Sequence, residues 1–160
     1  MRLLAIAALL VAPSIPRWSG ACEPTPDNDG PHALDPVFAA DTVAPSAVTA
    51  TSLIERADEG DGGGCGTPKC GGGGTAVYLS VAATDDRTPK DRLGYRLTLA
   101  GGQLPSGLSL PTTPVLSSYG ELRLRLPSDA GAFAFDLEIR AIDLNGNVGP
   151  ATVIAVANPA

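Results

Sequence analysis

Apolar and polar residues alternate with a period of two along much of the chain. The longest run covers residues 133–141, where Phe, Phe, Leu, Ile and Ala occupy every second position. The same alternation occurs in residues 77–83, 93–99 and 122–126. Because successive side chains of a strand point to opposite faces, each run predicts a strand with one face in a core and the other in water.

Turn-forming residues separate these runs. They include Asp85-Asp86, Gly101-Gly102, Asp129-Ala130-Gly131 and Asn145-Gly146. Residues 47–55 and 151–157 predict two further strands, and residues 107–110 predict a short edge strand, so that the count reaches about seven. No helical period is sustained after the N-terminal apolar run. The pattern predicts an all-β chain, folded as a single antiparallel β-sandwich.

The N-terminus has the pattern of a secretory signal peptide. Arg2 supplies the positive charge, residues 3–12 form an apolar run, and residues 19–21 are the small residues Ser, Gly and Ala. The apolar run is far shorter than the ~20 residues that a membrane-spanning helix needs. Residues 1–21 are therefore predicted to be a cleaved signal peptide, and the mature chain to lie outside the cytoplasm.

The predicted cleavage site carries a further signal. Residues 19–22, Ser-Gly-Ala-Cys, resemble the lipobox of bacterial lipoproteins. The resemblance implies that Cys22 is the first mature residue and is lipidated, which makes it a lipid anchor. Ser19 stands where the lipobox prefers an aliphatic residue, so ordinary signal-peptidase cleavage is the alternative.

The net negative charge of the chain excludes some classes of binding partner. The chain has 11 basic and 17 acidic residues, and removal of Arg2 and Arg17 with the signal peptide leaves a formal charge of −8. Nucleic-acid binding rewards clustered Lys and Arg, so we expect no nucleic-acid partner. A basic patch for anionic lipid headgroups is also missing, and contact with a membrane is expected only through the lipid anchor.

Cysteine usage agrees with export. Once Cys22 is set aside, Cys65 and Cys70 remain as a close pair, which predicts a disulfide in an oxidising compartment. Free thiols or a metal site are the alternatives, but zinc would need two more ligands and the only histidine, His32, is distant in sequence.

Two segments interrupt the strand pattern. Residues 22–44 are rich in Pro and Asp and predict a disordered, extended spacer. Residues 57–75 are dominated by glycine and predict a flexible insertion between the first two strands, with the Cys65–Cys70 bridge as its main source of order. The domain itself is predicted to cover residues 45–160.

Three stretches resemble bacterial immunoglobulin-like modules, of the putative Ig and cadherin-like type or of the fibronectin type III type. They are residues 81–95, residues 104–110 (LPSGLSL) and residues 131–150 (GAFAFDLEIRAIDLNGNVGP). Two departures leave the subtype open. The expected "GxIxGTP" stretch is replaced by residues 120–127, and the only tryptophan, Trp18, lies in the signal peptide. The resemblance implies a sandwich fold, and this architecture hosts many functions.

Two acidic loops suggest a calcium site. One contains Asp85, Asp86 and Asp91, and the other contains Asp143, Asn145 and Asn147. The predicted topology can bring both loops to the same end of the sandwich, where their oxygens would suit Ca²⁺. The alternative is that the Asn-Gly dipeptide makes a tight hairpin turn and the two adjacent aspartates cap a loop, with no cofactor bound.

Catalysis is not expected. A nucleophilic Ser or Cys needs a nearby base, and His32 lies in the predicted spacer, while Lys69 and Lys90 lie in polar loops. We therefore predict a non-enzymatic exported surface or envelope module, anchored at Cys22, for contact with an unknown protein or glycan or for a structural role. The alternative is a soluble periplasmic or secreted accessory subunit of a larger complex.

Overall fold

Seven β-strands and two single turns of 3₁₀-helix make up the regular structure in residues 30–55, 75–127 and 130–159, the part of the chain that the computed structural model describes. The strands are β1 (Thr49–Glu55), β2 (Ala76–Ala82), β3 (Gly94–Gly102), β4 (Val115–Leu116), β5 (Glu121–Arg125), β6 (Phe133–Ile142) and β7 (Thr152–Asn158). The turns are η1 (Pro36–Phe38) and η2 (Lys90–Arg92). The all-β prediction is confirmed.

The strands form two antiparallel sheets. One has three strands in the order β1-β2-β5, and the other has four in the order β4-β3-β6-β7. The apolar positions face one another across the pairs, as Leu79 does with Leu122 and Leu97 with Ile139. Each sheet therefore has one apolar face, and the two faces together enclose the core of a β-sandwich.

The core is a single cluster of mainly aliphatic side chains from both sheets. Val77, Leu79 and Leu122 of the three-stranded sheet are fully buried, as are Leu137 and Ile139 of the four-stranded sheet. Burial of one such side chain contributes about 1.5–3 kcal/mol. The two-residue periodicity in the sequence thus gives the inward positions of β2, β5 and β6 correctly.

Two local predictions are wrong. Residues 107–110 are not a strand, because Gly107 has a φ of +83° and the N–H of Leu108 donates to the carbonyl of Pro105, which closes a turn. The short edge strand is β4 instead. Leu99 continues the apolar face of β3 and pairs with the buried Leu137, but it is 41% exposed and lies directly before the register shift of β3 against β6.

Residues 30–44, which we name the strap, lie along the sandwich, although the sequence placed them in a spacer. The N–H of His32 donates to the carbonyl of Pro114 at 2.9 Å, and the N–H of Leu116 donates to the carbonyl of Gly30 at 2.9 Å. Further along, the N–H of Asp35 donates to the carbonyl of Leu144 at 2.8 Å. Composition predicted disorder here, but these backbone hydrogen bonds tie the strap to the domain.

Side chains reinforce the attachment of the strap. The Arg92 guanidinium forms an ion pair with Asp35 at 3.1 Å and lies 6.0 Å from the ring centre of Phe38. The pKa of Asp35 lies below its ordinary value, because the Val37 N–H and then the Arg92 guanidinium stabilise its carboxylate. The 3₁₀ turn η2, which carries Arg92, therefore contacts the strap from the β2–β3 connection.

Several predictions concern residues outside the described part of the chain. These are the signal peptide at residues 1–21, the lipid anchor at Cys22, the Cys65–Cys70 disulfide and residues 57–74 of the insertion. Within the described part, no helix has the length and apolarity needed to cross a membrane.

Replacing Leu137 with alanine tests the position of the core. Leu137 is fully buried in β6, so Leu137→Ala should lower the free energy of unfolding by about 2–5 kcal/mol through lost transfer energy and a residual cavity. Val153 in β7 is 55% exposed, and Val153→Ala serves as the matched control with a much smaller loss. Urea denaturation measures both, and equal losses would contradict the assignment of faces.

Candidate functional site

Three segments meet at one end of the sandwich, which we name the acidic end. They are the strap, the β2–β3 connection (residues 83–93) and the β6–β7 connection (residues 143–151). The N–H of Leu144 donates to Oγ1 of the buried Thr88 at 3.2 Å and so joins the two connections. The two acidic loops therefore lie at the same end, as the sequence predicted.

Asp143 organises the β6–β7 connection. Its side chain is fully buried, and its Oδ1 accepts hydrogen bonds from the backbone N–H groups of Asn145 at 2.9 Å and Asn147 at 2.8 Å. Its Oδ2 accepts from Nδ2 of Asn147 at 2.7 Å. The connection turns at Gly146, whose φ is +94° and whose N–H donates to the carbonyl of Asp143. The turn is therefore centred on Leu144 and Asn145 within a nine-residue connection, and the tight hairpin at Asn145-Gly146 that the alternative interpretation expected does not form.

The two asparagines hold the strap. Nδ2 of Asn145 donates to the carbonyl of Asp41 at 2.6 Å, and Nδ2 of Asn147 donates to the same carbonyl at 3.0 Å. Both side chains therefore fix the backbone at Asp41, which is only 1% exposed. The predicted residues Asp143, Asn145 and Asn147 form a connected polar network at the acidic end.

Three carboxylates come together beside this network. One oxygen from each of Asp41, Asp85 and Asp86 lies within 4.8 Å of the other two. The structure thus unites two predicted residues with Asp41, and this grouping does not include Asp143. Sequence reasoning missed Asp41 because the composition of residues 22–44 predicted a spacer. Oδ1 of Asp41 accepts a hydrogen bond from the N–H of Val43, two residues later in the chain. Aspartate favours local turns of this kind, and this preference is the signal in the sequence that could have indicated order at Asp41.

Two of these carboxylates have an oxygen without a partner. Oδ1 of Asp85 accepts from the N–H groups of Arg87 at 3.0 Å and Thr88 at 2.7 Å, whereas its Oδ2 is buried and has no hydrogen-bond partner. Oδ2 of Asp41 is likewise buried without a partner. Buried polar atoms are nearly always hydrogen-bonded, so two such oxygens in one cluster require a physical explanation.

A groove of about 870 Å³ opens beside the acidic end. Hydroxyl groups line much of it, from Ser46, Thr49, Ser80, Thr84, Tyr95 and Ser117, together with Lys90 and Asp91. Burial raises the pKa of the Tyr95 hydroxyl, while hydrogen bonds with Ser117 and the backbone of Ala83 act in the opposite direction. The groove thus offers neutral hydroxyls and one charge of each sign.

Tyr119 stands at this groove in an unusual conformation. Ser118 and Glu121 exchange two backbone hydrogen bonds of 2.9 Å, so Tyr119 and Gly120 are the central residues of a two-residue turn. Their φ values are +52° and +83°, which are typical of a type I′ turn. A left-handed conformation is costly for tyrosine, and the side chain is fully exposed, at 105% of the reference area. The ring therefore contributes no burial that could offset the strain.

His32 belongs to the strap and lies against β3. Gly94 makes room for it, since a Cβ at that position would lie 2.4 Å from Cγ of His32. Burial lowers the pKa of His32, with a smaller opposing effect from the Asp143 carboxylate and a further lowering by Arg92. Its Nε2 is buried without a hydrogen-bond partner. His32 thus packs between strap and sheet with one ring nitrogen left without a hydrogen-bond partner.

Comparisons with models of protein families, with curated proteins and with solved structures found no match for this chain.

Protonation of His32 should make the fold pH-dependent. Because its folded pKa is lowered, the unfolded chain binds the proton more readily, and stability falls as the pH drops below about 6.5. His32→Gln removes this titration, so the melting temperature of the wild type should fall more than that of the variant between about pH 7 and pH 5. Parallel curves for the two proteins in a thermal melt series would contradict the assignment.

Proposed function

We propose that this chain is a non-enzymatic exported module of the cell envelope, anchored through a lipid on Cys22, with an immunoglobulin-like sandwich that binds a glycan in the groove beside Tyr119. Export and anchoring are supported by the signal-peptide and lipobox patterns in residues 1–22. The immunoglobulin-like assignment is supported by the sequence resemblance and by two antiparallel sheets of three and four strands.

The observation that carries the binding role is Tyr119. A tyrosine in the left-handed region costs about 1 kcal/mol relative to residues that favour it. Asparagine or glycine would relieve that cost in a type I′ turn, and neither would lose burial because the ring has none. A side chain that strains the fold without packing against it is best explained by contact with a molecule outside the chain.

The lining of the groove favours a glycan. Its hydroxyls and the Lys90 and Asp91 charges can donate and accept hydrogen bonds in several directions. The exposed ring of Tyr119 adds an amphipathic surface against which a sugar ring can lie. A protein loop is the competing occupant, and the experiments below distinguish it.

A second candidate function is a soluble periplasmic or secreted accessory subunit of a larger complex. Ser19 in the lipobox favours it, because an aliphatic residue is preferred at that position. The two candidates share the exported sandwich and differ in the chemistry of Cys22, so the mass of the mature protein separates them.

The intact mass of the protein isolated from its own host tests export and anchoring. We expect residues 22–160 plus a diacylglycerol and an N-terminal acyl chain. The unmodified mass would support the soluble subunit, and a chain that still begins at Met1 would refute export. Comparison with and without reductant shows whether Cys65 and Cys70 have lost their thiol hydrogens to a disulfide.

Tyr119→Asn tests the binding role. It should raise the free energy of unfolding by about 0.5–1 kcal/mol, because asparagine suits the turn, and it should reduce binding to immobilised peptidoglycan and to an oligosaccharide array. Val37→Asn is the matched control, since Val37 is 85% exposed in the strap and outside the groove lining.

Undiminished glycan binding by Tyr119→Asn would refute the role of the groove. If the wild type binds none of these glycans, photocrosslinking from position 119 in intact cells identifies a protein occupant and overturns the glycan assignment.

A further inference from the structure

The acidic end brings together three carboxylates, and two of them have a buried oxygen that lacks a hydrogen-bond partner. Oδ2 of Asp41 and Oδ2 of Asp85 are buried without hydrogen-bond partners, and the exposed Asp86 adds a third carboxylate. Burying an ionised carboxylate without a partner is strongly unfavourable. Asp41 is 99% buried, its Oδ2 has no hydrogen-bond partner, and one of its carboxylate oxygens lies within 4.8 Å of an oxygen of Asp85 and of an oxygen of Asp86. A positive charge between them would remove the penalty.

We propose that Asp41, Asp85 and Asp86 bind one Ca²⁺ ion, which joins the strap to the β2–β3 connection. Ligand atoms on one ion can lie no further apart than twice the metal–oxygen distance, which is about 2.4 Å for calcium. The three oxygens, all within 4.8 Å of one another, satisfy this limit. Water completes the shell of six to eight oxygens on the side of the exposed Asp86.

The chemistry of the cluster favours calcium over zinc. Zinc sites use mainly nitrogen and sulfur ligands, whereas this cluster offers carboxylate oxygens alone. Magnesium demands octahedral geometry at about 2.0–2.1 Å, which is less tolerant of carboxylates held on separate segments. An affinity of about 10⁻⁴–10⁻³ M is typical of extracellular calcium modules, and we expect a value in that range.

The ligand set differs from the one that the sequence suggested. Asp143 uses both carboxylate oxygens within its own connection, and the amide groups of Asn145 and Asn147 hold the carbonyl of Asp41. These three residues therefore position Asp41 and are not ligands in this proposal. The site does not depend on the groove or on a lipid at Cys22.

Thermal melting of the full chain, first stripped with EGTA, tests the site. Addition of 5 mM CaCl₂, about 5- to 50-fold above the expected range of dissociation constants, should raise the melting temperature by about 3 °C or more. The strap amides of Asp35 and Asp41 should exchange more slowly with solvent, since both are hydrogen-bonded in the docked strap. NaCl at the same ionic strength should have little effect. No calcium shift would overturn the proposal, and an equal shift with 5 mM MgCl₂ would overturn the assignment to calcium.

Substitutions at the proposed ligands distinguish an effect on calcium binding from an effect on folding. Asp86→Asn, at an exposed position, should weaken calcium binding about 10-fold or more in calorimetry without unfolding the chain. Asp41→Asn keeps the Oδ1 that accepts from Val43 and should abolish the calcium shift. In EGTA it should melt no lower than the wild type, because the buried charge is removed.

Asp91→Asn is the control, since Asp91 lies in the same connection but outside the cluster. It should retain the full calcium shift. If Asp86→Asn binds calcium as tightly as Asp91→Asn does, the ligand set is wrong.

Discussion

Burial of one apolar face of each sheet against the other is the constraint on which the rest of this structure depends. Aromatic residues make up only 4% of the sequence, so mostly aliphatic side chains fill the space between the sheets. A slip of one residue in β2 or β6 would turn the buried face to solvent, and the core therefore fixes the register of both sheets. Fixed registers in turn fix where the connections emerge, which brings the β2–β3 and β6–β7 connections to the same end.

The carboxylates at that end differ in whether both of their oxygens are hydrogen-bonded. Asp143 is fully hydrogen-bonded and shapes the connection that holds the strap, so its charge is compensated locally. Asp41 and Asp85 are each half-satisfied, with one oxygen engaged by backbone N–H groups and the other left without a partner. Local turn chemistry thus explains where these side chains are, and the unpartnered oxygens are what points to a cation.

The strands and their inward faces could be predicted because they follow from a local periodicity that the core enforces. The failures are equally local: a turn with a left-handed glycine at 107 stands where a strand was predicted, and Leu99 is exposed at the last position before a register shift. The strap could not be predicted from composition, because its order comes from partners distant in sequence, such as Leu144 for Asp35 and Asn145 for Asp41. For the same reason, two of the three residues of the acidic cluster could be predicted. Asp85 and Asp86 are neighbours in sequence, whereas Asp41 is distant from both.

The path of the strap also affects whether a second copy of this protein can pair with the edge strand β4. β4 is the last strand of its sheet, and such a strand invites a second chain to pair with it. The N–H of Leu116 donates to the carbonyl of Gly30, and the carbonyl of Pro114 accepts from the N–H of His32, so these edge groups are already paired. Pro31 lies opposite Val115 and has no N–H that could donate to another strand. Residues 30–32 therefore occupy the hydrogen-bonding positions through which a second chain could otherwise pair with β4.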